Sequence, residues 1–221
     1  MLIETIASTL DEALQLEALG ADRIELVTAV SEGGLTPSKA MIKQVCSRLS
    51  IPVNIMLKTR KDYQFTDLDM LVILEDLEYI KTTKASGIVF GALKGKSLNK
   101  EYIERVIENK GSLTMTLNRC FDRSEDFEAT LAYVKDLKID RMLTSGHESS
   151  VITGSENFKL IQNTCHNFVI MAGAGLTIEN VKDFILNVKP EEIHFGSGTH
   201  LEGKWDNNID PKSMELLCNL K

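Results

Sequence analysis

The chain has no CxxC pair, no HExxH, no GxSxG and no P-loop. Those absences remove the common signatures of zinc sites, serine hydrolases and nucleotide-phosphate binding. Its four cysteines, Cys46, Cys120, Cys165 and Cys218, are scattered. Free thiols in a reducing cytoplasm are therefore expected. No apolar run approaches the ~20 residues of a membrane helix, and the N-terminus enters strand-like sequence directly, without a signal peptide. Low-complexity tracts and long charge runs are missing too, which argues against extended disorder. The net charge is −7 and no basic stripe offsets it. That speaks against nucleic acid and anionic membranes as partners. No linker rich in Pro, Gly or Ser interrupts the 221 residues, so 1–221 is expected to form one domain.

What is present is an alternation of short apolar runs with longer amphipathic stretches. Strands are predicted at 2–6, 23–27, 53–58, 87–90, 112–118, 140–144, 168–172 and 192–195. Helices are predicted at 9–19, 38–48, 66–85, 99–109, 126–136, 155–163 and 177–187, with a last one over Lys212–Leu220. Thr36-Pro37-Ser38, Thr66-Asp67 and Thr177 are start signals. Eight strands separated by helices, at a period of about 25–30 residues, predict an α/β fold of the (β/α)8 TIM-barrel type. An open doubly wound sheet is the competitor. It has fewer strands and often a GxGxxG in its first turn, where this chain has Ala7-Ser8-Thr9.

Polar groups alternate with apolar ones inside these strands. Glu4, Glu25, Asn54, Lys58, Thr116, Asn118 and His194 point one way, and Ile3, Leu26, Ile55, Met115 and Ile193 the other. Buried ionisable groups need partners, so their convergence predicts a shared polar site at the C-terminal strand ends. Glu4, Glu25 and His194 are candidate acid–base groups or ligands of a hard metal, with Asn118 beside them in the catalytic set. A salt-bridge network tying the two carboxylates to Lys58, Arg60 or Arg119 explains the same residues without catalysis. Lys58, Arg60 and Arg119 are candidate anion-binding cations, although Arg119 also has Asp122 within pairing distance along the chain. Thr144, Ser145, Gly146, Gly173 and Gly175 lie in small-residue loops after strands 6 and 7. Their amides suit a bound anion, or the glycines simply let strands turn tightly into helices. Gly33 and Gly34 after strand 2 admit the same two readings. Cys120 is the only cysteine at a C-terminal strand end and the one candidate metal ligand among the thiols. The loop Leu201–Ile209 either covers a site or is mobile.

Several segments together resemble the CutC family. They are Ala21-Asp22-Arg23-Ile24-Glu25-Leu26, Glu32-Gly33-Gly34-Leu35-Thr36-Pro37-Ser38, Asn118-Arg119 with Phe121-Asp122, Leu143-Thr144-Ser145-Gly146 and Ala172-Gly173-Ala174-Gly175. The resemblance runs from Leu2 to about His200. It implies a cytoplasmic (β/α)8 barrel attributed to copper homeostasis, with copper as the implied ligand. The chain departs from the family pattern at four places. Ile6 and Val27 stand where the family usually has cysteines, and soft thiolates are what select Cu(I). After strand 3 only Arg60 matches the family's arginine-rich turn, and Asn118 stands where the family has histidine.

Two functions follow. One is copper handling, with sulfur from Cys120 and strand methionines such as Met56, Met115, Met142 or Met171, residues that core packing also explains. The other is an isomerase- or lyase-like enzyme, active or degenerate, working on a small anionic metabolite. Self-association as a homo-oligomer stays open, because the pattern locates no apolar patch on a barrel helix.

Overall fold

A computed structural model covers residues 1–221. Eight parallel strands close into a barrel: β1 (Leu2–Ala7), β2 (Arg23–Leu26), β3 (Val53–Met56), β4 (Gly87–Phe90), β5 (Thr114–Leu117), β6 (Arg141–Thr144), β7 (Val169–Gly173) and β8 (Glu192–Phe195). Each strand pairs with its neighbours in sequence, and β8 returns to β1 with Glu4 opposite His194. The helices are α1 (Leu10–Ala18), α2 (Lys39–Arg48), α3 (Asp67–Lys81), α4 (Lys100–Asn109), α5 (Phe127–Val134), α6 (Ser155–Thr164), α7 (Val181–Val188) and α8 (Pro211–Cys218). This is the (β/α)8 TIM barrel that the strand count predicts.

Local chemistry sets the helix ends. Thr9 accepts from the Glu12 amide, and Ser38 from that of Met41. Thr66 and Asp69 form a reciprocal capping box, which starts α3 where the sequence signal stands. Asp210 accepts from the Ser213 amide, and Pro211 opens α8, where a missing N–H costs nothing. The start predicted at Thr177 is displaced. Asn180 turns its side chain back to the Thr177 amide and the Gly175 carbonyl, so α7 begins only at Val181. The helices predicted to end at 85 and 136 stop at Lys81 and Val134. A two-stranded hairpin, Leu93–Lys94 with Ser97–Leu98, is an addition that the apolar pattern does not reveal.

The period of two divides each strand. Ile3, Leu26, Ile55, Met115 and Ile193 are fully buried between the barrel and the helix layer, in one continuous hydrophobic core. Each such side chain contributes roughly 1.5–3 kcal/mol of burial. The barrel interior is different. Its apolar part is a small cluster of Val27, Met56 and Val89 with Ile6 and Val30 against it, joined at the cavity by Leu143. The rest of the interior is polar and ionic, and that polar interior carries the site.

Candidate functional site

The deeper interior is an ionic ladder. Arg23 Nε donates to Glu4 Oε2 and its Nη2 donates to Glu192 Oε2. Glu192 in turn accepts from Arg141 Nε at 3.1 Å. Arg23, Glu4 and Glu192 are buried, and the alternating signs leave the ladder balanced. The network foreseen for Glu4 therefore exists, but its cation is Arg23. Strand alternation puts Arg23 on the face of Glu25, and Glu192 on that of His194. That signal was available in the sequence.

Above the ladder sits His194, between two carboxylates. Its Nδ1 lies 2.8 Å from Glu4 Oε1 and its Nε2 lies 3.3 Å from Glu25 Oε2. Room for the ring comes from β7. A Cβ on Gly173 would stand 2.6 Å from Leu143 Cδ1 and 3.3 Å from His194 Cβ. Burial works to raise Glu4, but the Arg23 guanidinium and the His194 hydrogen bond override it and hold the carboxyl down at about 2. Burial pushes Glu25 up to about 7, helped by the charge on Glu4 and opposed by His194 and Lys58. Burial works against the His194 imidazolium, and the two carboxylates override it and raise its pKa. Glu4 is the carboxyl held as an anion, while Glu25 and His194 face each other with both pKa values raised. The Glu25 Oε1 atom is buried and has no hydrogen-bond partner in the protein.

Glu25 and His194 line a cavity of about 240 Å³ at the C-terminal mouth of the barrel. Ile6, Val27, Met56 and Leu143 make its apolar wall, and Asn118, Arg119, Arg123, Tyr63 and Trp205 ring it. Arg119 Nε donates to Asp122 at 2.9 Å and its Nη2 to Ser145 Oγ at 2.9 Å. Arg123 is exposed and no carboxylate lies within ion-pair distance of it. Neither Arg123 nor Tyr63 announces itself in the sequence, because Arg123 ends a single 3-10 turn after β5 and Tyr63 sits in an irregular loop. Trp205 belongs to the loop after β8, where it packs on Gly196 and edge-on against His200. That loop does reach the cavity.

The other predicted residues are placed elsewhere. Lys58 is buried, and its Nζ donates to the Glu32 and Gly33 carbonyls and lies over the Tyr63 ring. Burial lowers its pKa against the opposing pull of Glu25. It fastens the Gly33–Gly34 turn that forms one side of the cavity. Arg60 pairs with Asp62 and Asp69 on the surface and does not line the cavity. In the turn after β6, the Ser145 and His147 amides, with the Thr144 and Ser145 hydroxyls, donate to the Asp122 carboxylate. The Gly146 amide donates to Thr144 Oγ1. An internal anion thus occupies these donors. Gly175 takes a positive φ of 76°, and its carbonyl accepts from Asn180. Cys120 is fully buried beside Gly91, with burial and the Asp122 charge pushing its thiol up. The only cluster of three potential metal donors is Glu4, Glu25 and His194, whose ligand atoms lie within 4.8 Å of one another.

No helix is long and apolar enough to cross a membrane. The sequence model of the CutC family matches residues 1–199. A copper homeostasis protein cutC homologue of Drosophila melanogaster is 28% identical, over 99% of this chain and 84% of the fly protein. The solved structure of CutC from Streptococcus agalactiae superposes with a TM-score of 0.82 at 23% identity, covering 89% of this chain and 98% of that one. Phosphoribosyl anthranilate isomerase from Thermotoga maritima shares the fold at a TM-score of 0.68 and 17% identity, covering 100% and 98%. With the family match spanning nearly the whole barrel, this chain belongs to the CutC family.

Proposed function

We propose that this protein is an enzyme catalysing proton transfer on a small anionic metabolite, in the manner of an isomerase or lyase. The observation that carries this reading is the Glu25–His194 pair at the floor of the cavity, with Glu25 Oε1 free of any protein partner. Glu4 accepts the Nδ1 proton of His194 and so directs Nε2 at Glu25. With His194 Nε2 beside Oε2, Oε1 is the oxygen left to take or give a proton at a substrate atom. A carboxyl raised to about 7 populates both its forms near neutrality, the condition for efficient general acid–base work. Arg119 and Arg123 supply positive charge at the rim for an anionic group. A cavity of about 240 Å³ limits the ligand to metabolite size.

Copper is the second reading, because the relatives carry copper homeostasis in their names. The donors gathered at the site fit Cu(I) poorly. They are two carboxylates and an imidazole, whereas Cu(I) selects thiolate and thioether sulfur. No cysteine joins the cluster, and Ile6 and Val27 on the cavity wall bring hydrocarbon there. Met56 is the one sulfur lining the cavity.

The test is a panel of small carboxylates and phosphate esters incubated in D2O with wild type and Glu25→Gln, followed by proton NMR. Loss of a carbon-bound proton signal from at least one compound, abolished in Glu25→Gln, is expected. A panel without any Glu25-dependent exchange would overturn the reading.

A further inference from the structure

A second residue lining the cavity carries a buried polar atom without a partner. Asn118 Oδ1 accepts the Cys120 amide at 3.1 Å. That bond fixes which end of the side-chain amide faces the backbone. The other end, Nδ2, is buried without a hydrogen-bond partner in the protein, and Asn118 lines the same cavity as Glu25. A Cβ on Gly91 would overlap Asn118 Oδ1 and Cys120 Sγ, so the side chain is held from that side too. β5 lies three strands around the barrel from β2. Glu25 and Asn118 thus line one cavity from different walls, each with a buried polar atom lacking a protein partner, one able to exchange a proton and the other only to donate a hydrogen bond.

We infer that Asn118 Nδ2 stabilises a developing enolate oxygen, and that the substrate is a small carboxylate or phosphate ester carrying a carbonyl with a C–H beside it. The inference rests on the acid–base reading of Glu25. A carboxylate base removes a proton from carbon only where the electron pair left behind can move onto an electronegative atom. Glu25 Oε1 takes the proton, the C–H pair becomes a C=C bond, and the carbonyl π pair moves to oxygen. The oxygen gains negative charge against the Asn118 N–H, which stays a donor throughout. Return of the proton to the same carbon completes an exchange; where that carbon also carries a hydroxyl, passage of the hydroxyl proton to the enolate oxygen and return of the carbon proton to the neighbouring carbon completes an isomerisation, with no oxidant or other reactant. A fixed donor aimed where charge develops is the arrangement that favours this step. The anionic group of such a substrate faces Arg119, the next residue along, and Arg123.

Calorimetric titration with enolate mimics tests the assignment, in two arms that separate the anion types. Oxalate is compared with pyruvate for a carboxylate substrate, and 2-phosphoglycolate with dihydroxyacetone phosphate for a phosphate ester. Wild type should bind the mimic about tenfold or more tighter than the keto compound in one arm. Asn118→Ala and Asn118→Asp should lose that preference, while Arg60→Ala, on the surface outside the cavity, retains it. The aspartate keeps an oxygen for the Cys120 amide and guards against a variant that fails to fold. Equal preference in wild type and both Asn118 variants, or no preference in either arm, overturns the inference. Glu25-dependent exchange in D2O without an Asn118-dependent preference would leave the acid–base reading standing and remove the enolate. An Asn118-dependent preference without exchange would keep the carbonyl-binding site and remove the catalysis.

Discussion

His194 Nε2 lies 3.3 Å from Glu25 Oε2, and the same ring is tied through Nδ1 to Glu4. One imidazole thus joins a carboxyl fixed as an anion to one poised to titrate. The distinction comes from what lies behind each. Glu4 has Arg23, while Glu25 has burial and a free oxygen.

The first prediction follows from the sign of the Glu25 shift. Its pKa is raised from 4.5 to about 7 in the folded protein. The folded state therefore binds the proton more tightly, and this stabilisation is complete below 4.5 and lost as pH rises through about 7. Glu25→Gln removes the loss. Relative to wild type it should gain roughly 3 kcal/mol between about pH 4 and pH 8. Thermal unfolding of both proteins across that range checks it, and a constant difference in Tm would refute it.

Arg23 is the second target. Replacing it by methionine leaves Glu4 and Glu192 facing each other without their shared cation. Such an uncompensated buried charge costs about 3–5 kcal/mol. Urea unfolding at neutral pH should show that loss. Since Glu4 is held down at about 2, its ion pair contributes above pH 4.5 and fades as pH falls toward 2. The cost of Arg23→Met should therefore shrink in acid.

Gly91 is required by packing. An added Cβ would overlap Cys120 Sγ and Asn118 Oδ1, neither of which can swing away from its buried position. Gly91→Ala should destabilise by about 1–3 kcal/mol. Pairing it with Cys120→Ala should recover part of that, because the nearer of the two clashes is gone. A double variant no more stable than Gly91→Ala would show that the strain lies elsewhere.

The barrel was legible because its cause is periodic. Eight apolar runs at regular spacing can bury themselves only by closing with helices outside, and residues such as Ile3 and Met115 sit where alternation sends them. The same alternation carried Glu4, Glu25, Asn118 and His194 to the interior. What stayed hidden depends on loops and on partner choice. Nothing in the order of residues says that Asp122 fills the turn after β6 with its own carboxylate, or that Lys58 spends its charge on two carbonyls. Arg60 looked like a ligand cation by its place after β3, and Asp62 and Asp69 draw it to the surface. Trp205 reaches the cavity through an irregular loop with no period to read.

The two rim arginines should separate in experiment. Arg119 holds Asp122 and Ser145 besides facing the cavity, so Arg119→Ala should abolish anion binding and cost about 1–2 kcal/mol of stability with the fold retained. Arg123 makes no ion pair, so Arg123→Ala should weaken binding of oxalate or 2-phosphoglycolate about tenfold and change stability by less than about 0.5 kcal/mol. Calorimetry and urea unfolding on the same samples read both quantities. Global unfolding of Arg119→Ala would instead make that residue structural only.

Copper gives the last prediction. Cu(I) bound by this chain needs sulfur, and the sulfur is poorly placed. Cys120 is sealed in the core with its thiol pushed up, which disfavours the thiolate that binds metal. Cys46 and Cys165 are buried with thiols raised to about 11 by burial, and Cys218 packs against the Gly20 carbonyl. In a competition titration of the reduced protein against a Cu(I) chelator, wild type and Cys120→Ser should behave alike, and neither should take up a stoichiometric ion. Tight uptake by wild type that Cys120→Ser loses would mean that the turn after β5 opens to expose its thiol. The acid–base site would then have to share the barrel mouth with a metal.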